Sequence, residues 1–519
     1  MSRFAKRISI VSGFTMLSRV LGLMRDILFF SCFGSSAVAS AFILAFTLPN
    51  LFRRMLGEGT LSSAFIPVFA EDLEKQGVQS AHRTLNQVLS RLALFLLCLS
   101  VVVCLFSLLI PDGWELARKW MDGAYLNAIV FPYVLLICMS AIIVGALNTH
   151  RSFFAGAFSP VILNLSMIGA LVFGKWGLGL DGMELATVLC IGVVAGGIAQ
   201  LAMPWLQLRW QKAWNWELDL GNSEQLSRIR SLFWIGAFGA AVAQVNILVS
   251  RFLAYSLDDQ AALPYLFLSA RLIELPLGVF AIAISTVLFP ELARSSVSSD
   301  DRGFEEIFAR GFRLTLAITL PAAIGLGMLA DPILRVLFQW GRFGGEDVIQ
   351  ASKVLFVSVA ALPFYALSAY LVKAFHARKQ MKPPLVAGIF SFAVNLGLSL
   401  FLMNRYGVIG LAWANVGASC AQALILLLLF KNVSLWSYFK VSPFYLLSII
   451  LSSAGMAGAI YLLEPLVMTH DSLSTSLWGL GLLIPAGVLT QCSFLFFLGF
   501  PEVRSGVWKM SNSLRKLLG

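Results

Sequence analysis

Charged side chains are scarce in this chain, and acidic ones scarcest. Asp, Glu, Lys and Arg make up 13% of the 519 residues, with 27 acidic against 38 basic positions. Soluble domains average about 25% charged residues, so the deficit excludes an ordinary water-facing surface. A 58% hydrophobic share and a mean hydropathy of +0.83 identify an all-α, polytopic membrane protein. Histidine and cysteine are thin as well. The four histidines, His82, His150, His376 and His470, are far apart and close to loops. The seven cysteines, Cys32, Cys98, Cys104, Cys138, Cys190, Cys420 and Cys492, fall inside or at the ends of apolar runs without metal-ligand spacing. They read as small packing residues, and no zinc, haem or other cofactor site is legible. Asp72, Asp258, Asp259, Asp300 and Asp301 stand at loop edges without a convergent His or Asp set, which argues against a lipid-phosphate transferase or glycan polymerase. The formal charge of +11 lies mostly in short loops beside apolar runs, where membrane topology alone places it, so nucleic acid is set aside as a partner.

What is present is a succession of apolar runs. About fourteen spans are expected, near 8–33, 37–72, 80–110, 124–149, 154–174, 183–208, 228–255, 261–296, 304–339, 347–377, 383–403, 407–430, 442–464 and 475–499. The first carries internal charges and no small-residue cleavage site, so it is expected to stay as a helix. A break is expected at Gly57-Glu58-Gly59, and kinks at Pro49, Pro67, Pro276, Pro290 and Pro321. Lys and Arg collect on the side of the N-terminus, which predicts both termini in the cytoplasm. The longest polar connector divides the chain into residues 1–208, a cytoplasmic linker at 209–227, residues 228–431, and a final pair of helices with a tail at 432–519. Trp210, Trp214 and Trp216 in that linker are expected in an interfacial amphipathic segment. A weak internal repeat pairs Asn164 with Asn395, and F-I-P-V-F-A with L-F-P-E-L-A. It predicts two parallel six-helix lobes around a central cavity, with the site between them near the bilayer midplane.

The stretch from Ser18 to Arg54 organises the functional reading. It places Arg19, Arg25 and Asp26 within the first apolar run, and Arg53 and Arg54 within the second. An ionised group near the bilayer centre costs at least ~2.5–3.5 kcal/mol, so such groups usually face a bundle interior or a wet cavity. Arg19 and Asp26, seven apart, lie within about 20° of each other on a helix, with Arg25 a quarter-turn away. All three can therefore reach one lumen; the alternative is a structural ion pair between packed helices. Arg271 and Glu274, three apart and ~15 Å into their span, either form a self-neutralising bridge or serve the same cavity. Asn148, Asn164, Gln244 and Asn246 can hydrogen-bond a sugar or peptide group, or simply join helices. A guanidinium fork matches phosphate oxygens and stays charged at any accessible pH, so the cluster points to an anion, and to a diphosphate before a sugar or a cationic drug.

These residues resemble the MurJ (MviN) lipid II flippase family of the multidrug/oligosaccharidyl-lipid/polysaccharide exporter superfamily. The likeness rests on S-R-V-L-G-L-M-R-D at 18–26, L-P-N-L-F-R-R-M-L-G-E-G at 48–59, A-F-I-P-V-F-A-E at 64–71, F-P-Y-V-L-L-I at 131–137, A-L-N-T at 146–149 and R-L-I-E-L-P-L-G-V at 271–279. The resemblance implies two six-helix lobes around a cationic cavity and two last helices forming a groove for a polyprenyl tail. It implies that Arg19, Arg25, Arg53 and Arg271 are cavity arginines needed for transport, with Arg54, Glu58 and Glu274 close by. Ser40 stands where the family commonly has an acid, and Ala270 where it commonly has Asp, which leaves the cavity more positive. The expected activity is flipping of lipid II, an undecaprenyl-diphosphate-linked disaccharide-peptide, across the bacterial inner membrane by alternating access. Membrane lipids and cell-wall synthesis proteins are the further partners the reading extends to. Export of another polyprenyl-linked glycan or of drugs is the alternative, and a scaffold for wall-synthesis proteins a third.

Overall fold

The computed structural model describes residues 3–57, 59–109, 118–212, 214–297, 301–430, 443–468 and 472–505, and every regular element among them is helical. The chain divides into two compact units, residues 1–264 with 340–343, and residues 265–339 with 344–519.

The first unit contains α1 (Arg3–Phe33), α2 (Ala37–Phe52), α3 (Thr60–Lys75), α4 (Val78–Leu108), α5 (Arg118–Val130), α6 (Tyr133–Thr149), α7 (Phe154–Val172), α8 (Gly182–Lys212) and α9 (Glu224–Ser256). Gly34 turns the chain with φ of 59°, and Ser36 then caps α2 by accepting from the Ala39 N–H at 3.3 Å. Pro49 lacks an N–H and crowds the preceding turn. The ladder re-forms after it as a π turn over Arg53–Gly57, a form concentrated at functional sites. Pro67 sits inside an uninterrupted α3. Contacts along α1 and α7 advance together: Phe14 meets Phe154 and Phe158 at 5.5 and 5.2 Å, and Ser18 meets Asn164. The two helices therefore run parallel, as the first and fifth crossings of one bundle must. Gly196 of α8 sits so close to α7 that an added Cβ would lie 2.9 Å from Ser166 Cβ, the small-residue contact that lets membrane helices approach.

The linker departs from expectation. Trp210 is exposed at the end of α8, but residues 214–223 form no helix, and Trp214 is fully buried. This segment lies along the polar face of α4. Asn86 accepts from Trp214 Nε1 at 2.9 Å and donates to Asn215 O at 3.2 Å. Gln87 donates to Asp219 at 3.1 Å and accepts from Ser223 at 2.6 Å, while Arg91 holds the carbonyls of Leu220 and Gly221 at 2.8 and 3.0 Å. The spacing of Arg83, Asn86, Gln87, Ser90 and Arg91 puts them on one helical face, so the linker is a strap bolted to α4 by hydrogen bonds.

The second unit holds α10 (Ala262–Pro276) from Tyr265 onward, α11 (Ile282–Val297), α12 (Asp301–Met328), α13 (Ala330–Phe338), α14 (Gly345–Ser358), α15 (Leu362–Ala377), α16 (Lys382–Leu429), α17 (Pro443–Val467) and α18 (Leu473–Phe497). Pro276 is followed by a π turn over Leu277–Ala281, so the second and eighth expected spans share a helix, π turn, helix construction. Pro290 and Pro321 lie inside continuous helices. The 48 residues of α16 would measure about 72 Å if straight, more than twice the ~30 Å of a hydrocarbon core. Gly407, at φ of 55°, divides them into two helices. The core of this unit joins Phe304, Phe308 and Phe312 of α12 to Tyr370 and Phe375 of α15 and to Phe430. Ala317 and Leu329 meet Ile449, Met456, Ile460, Leu483 and Leu495 of the last two helices. Ten stretches among the described residues, the whole of α16 among them, are long and apolar enough to cross a membrane.

Candidate functional site

In the first unit the charged network centres on Arg25. Neighbouring residues on a helix do not ordinarily face each other, yet the Arg25 guanidinium folds back so that Nε and Nη2 both donate to Asp26 Oδ1, at 3.0 and 2.5 Å. Its Nη1 donates across to Asn164 Oδ1 at 2.9 Å and touches Met167 Sδ at 3.9 Å. Asn164 in turn donates to Ser18 O at 3.0 Å. Both ends of the Asn164 amide are thus used between helices, α7 holding α1 through it. Asp26 is 3% exposed, whereas Arg19 is exposed and has no hydrogen bond or ion pair with another described residue. Their shared azimuth therefore does not give them a shared environment.

Arg53 and Arg54 sit in the π turn after α2, half-buried and exposed respectively. Arg53 Nε donates to Asn50 Oδ1 at 3.3 Å. Glu58 lies outside the described residues. Ser40 is buried, and its hydroxyl donates to Gln260 O at 2.5 Å, a contact an ionised carboxylate at that position could not make. Asn148 is half-buried near the end of α6, where its carbonyl accepts from the Arg151 N–H at 2.9 Å. Arg251 is among the cations inside expected spans that sequence reasoning did not single out: in the span expected at 228–255, it donates from Nη1 to Thr47 Oγ1 at 2.7 Å. A search for every charge inside an apolar run would have found it. Asp72, read as a loop-edge acid, is buried and accepts from Ser80 and Thr84 at 2.8 and 2.7 Å.

In the second unit Arg271 Nη1 meets Glu274 Oε2 at 3.2 Å, with side chains 36% and 49% exposed. Ala270 beside it is exposed. Asn395 is buried and accepts from Ser399 at 3.3 Å. Among the described residues no three His, Cys, Asp or Glu side chains come together as a metal site. What each unit offers chemically is guanidinium groups on helices, of a kind that pairs with anions.

The sequence model of the family described as "Lipid II flippase MurJ" matches residues 29–481. The chain belongs to the lipid II flippase MurJ family. It is therefore a transporter and not a catalyst. This MurJ-family chain is 32% identical to the probable lipid II flippase MurJ of Rhizobium tropici, over 96% of its own length and 95% of the relative's. Against the lipid II flippase MurJ of Burkholderia cenocepacia it is 30% identical, over 80% and 82% of the two chains. A solved lipid II flippase MurJ in an inward closed conformation superposes with a TM-score of 0.78 at 27% identity, covering 94% of this chain and 98% of that one. An inward-facing multidrug resistance MATE transporter, at 13% identity and a TM-score of 0.66, covers 83% and 99% and shares the fold alone.

Proposed function

We propose that this protein moves lipid II from the cytoplasmic to the outer leaflet of a bacterial inner membrane by alternating access, both termini lying in the cytoplasm. Arg19, Arg25, Arg53, Arg54 and Arg271 bind the diphosphate. The observation that carries this reading is the Arg25 network, a guanidinium held in place within the first expected span by a buried carboxylate and a buried amide. Such a group is expensive in a bilayer and is pre-shaped for two phosphate oxygens. Exposed Arg19 and Arg54 are suited to first capture. Arg271, whose partner is solvent-accessible, can trade Glu274 for phosphate at small expense. The relatives' printed names supply the substrate, and the second-unit packing of the last two helices against α12 leaves them available to a polyprenyl tail. Where two charges move with the substrate, the membrane potential contributes ~2.3 kcal/mol per charge per 100 mV.

The test is replacement of the resident lipid II flippase in a depletion strain. The unaltered chain is expected to restore growth and outer-leaflet labelling of lipid II, and Arg25→Ala to restore neither while still reaching the membrane. Growth and labelling with Arg25→Ala at the unaltered level defeat the reading.

A further inference from the structure

Left-handed backbone sets two residues apart from the rest of the chain. Among the described residues, only Arg151 and Lys379 combine a positive φ, 62° and 58°, with a side chain larger than glycine's hydrogen. They stand at matching places in the internal repeat, fifth after the alanines of A-L-N-T-H-R-S at 146–152 and A-F-H-A-R-K-Q at 374–380. The hydrogen bonds match as well. Arg151 N–H donates to Asn148 O and Ser152 N–H to Leu147 O, both at 2.9 Å, while Lys379 N–H donates to His376 O and Gln380 N–H to Phe375 O, again at 2.9 Å. So α6 in the first unit and α15 in the second end in the same Schellman turn, each with a basic residue at its left-handed position.

A long side chain there works against the backbone, because the left-handed conformation crowds Cβ against the following carbonyl, and glycine is the usual occupant. The end of α18 shows the ordinary solution. Gly499 fills the equivalent position at φ of 81°, its N–H on Phe496 O at 3.2 Å and the Phe500 N–H on Leu495 O at 2.9 Å. Membrane topology does not explain the departure: the preference for positive cytoplasmic loops counts charges and is indifferent to φ. In the second turn Arg378, at φ of −89°, and Lys382, inside α16, already supply such charge. Nor does the fold use these two side chains. The residue before each makes the turn's contact with its own unit, His150 with Phe69 at 6.1 Å between ring centroids and Arg378 at 4.0 Å over the Phe304 ring. Arg151 and Lys379 are exposed, and neither side chain has a hydrogen bond or ion pair with another described residue.

Backbone strain of this kind persists where function uses it. We propose that Arg151 and Lys379 are capture residues for the phosphate of a lipid headgroup in the cytoplasmic leaflet, one at the equivalent turn of each unit. A guanidinium and an ammonium offered to solvent both suit phosphate oxygens. The two turns follow the fourth and tenth expected spans, even-numbered crossings, which puts both on the cytoplasmic side when the N-terminus is there. The inference rests on the orientation and function proposed above and adds two cations to the set named there. Such a phosphate has two sources, the diphosphate of a polyprenyl-linked substrate and the surrounding anionic phospholipid, and the test separates them.

The purified full-length chain is titrated in detergent with undecaprenyl diphosphate and, separately, with short-chain phosphatidylglycerol, and its thermal midpoint is recorded. The variants are Arg151→Gly, Lys379→Gly, the two together, Arg151→Lys with Lys379→Arg, and Arg53→Ala. Each single glycine variant is expected to weaken binding about two- to fivefold, the worth of an exposed ion pair, and the double variant by about the product. The midpoint should hold or rise, because glycine relieves the left-handed position. The Lys-for-Arg exchange keeps both charges and should bind within about twofold of the unaltered chain. A loss confined to undecaprenyl diphosphate identifies the substrate as the source of the phosphate, and a loss confined to phosphatidylglycerol identifies the surrounding lipid. Unaltered binding of both probes in the double glycine variant overturns the inference, as does a midpoint that falls along with binding, since the side chains would then serve the fold. Weakened diphosphate binding in Arg53→Ala beside an unaltered double glycine variant sinks this inference alone, whereas unaltered diphosphate binding in all the variants counts against the diphosphate reading as well.

Discussion

Arg25 and Arg271 bear the same chemical group on helices of the two units, and the molecule treats them oppositely. Arg25 is paired with a carboxylate 4% exposed and braced from a second helix by Asn164. Arg271 meets a carboxylate 49% exposed on its own helix. The first pair has surrendered its water and is costly to break from one side. The second keeps much of its water and contributes 0–1 kcal/mol. One arginine is thus fixed in place as part of the fold, and the other can change partners. A carrier needs both kinds, a site whose shape survives the cycle and a hand that can let go.

The sharpest way to break this contrast is Arg25→Ala. It removes the Arg25 charge from beside buried Asp26, and the expected destabilisation for breaking a buried pair from one side is about 3–5 kcal/mol, read as a large drop in thermal midpoint together with loss of flipping. Asn164→Ala should follow with about 1–3 kcal/mol, because it strips a hydrogen bond from Arg25 and another from Ser18 O. Flipping should decline without vanishing, since the Asp26 pair remains. In the second unit, loss of the exposed Arg271–Glu274 pair should itself cost under about 1 kcal/mol, so Arg271→Ala is expected to lower the thermal midpoint far less than Arg25→Ala while abolishing transport. A stability loss as large as that of Arg25→Ala would erase the distinction between the two arginines. The smallest effect concerns the strap. The Gly221 N–H, and after it Gln87 and Arg83, hold Asp219 below the usual carboxylate range. Its contribution is therefore fully present above the ordinary value of about 3.9 and is lost as pH falls through the lower folded value. Protection of the 214–223 amides, taken relative to their intrinsic exchange rates, should persist from pH 7 down to that range and fall below it; a fall already near pH 6 would contradict the assignment.

Much of this was legible in the residues. Apolar runs of span length, the scarcity of charge and the arginines set within those runs all follow from what a bilayer tolerates, so the all-helical class and the cationic character needed no coordinates. The π turns after Pro49 and Pro276 were half-legible. Proline marks where a ladder is interrupted, but how it re-forms depends on neighbouring helices, which is also why Pro67, Pro290 and Pro321 lie in unbroken helices. Trp214 was misread because, beside exposed Trp210 and Trp216, it suggests an interface. The polar face of α4 that captures Trp214 is a tertiary feature with no local trace in the linker. The environments of Arg19 and Asp26 diverged for a like reason: azimuth is a property of one helix, and burial depends on what crosses it. Arg251 went unnoticed because it stands near a span end, where an arginine is unremarkable until its side chain is seen to turn inward.

The most direct test of the central claim, that these arginines bind a phosphate rather than brace helices, compares Arg271→Ala with Glu274→Gln in vesicles carrying labelled lipid II. Headgroup exposure to an external quencher is the readout. The account predicts that flipping stops in Arg271→Ala and continues in Glu274→Gln, where the guanidinium is kept and only its carboxylate is neutralised. Equal loss in both would mean that the salt bridge itself is what transport requires, and would contradict the account.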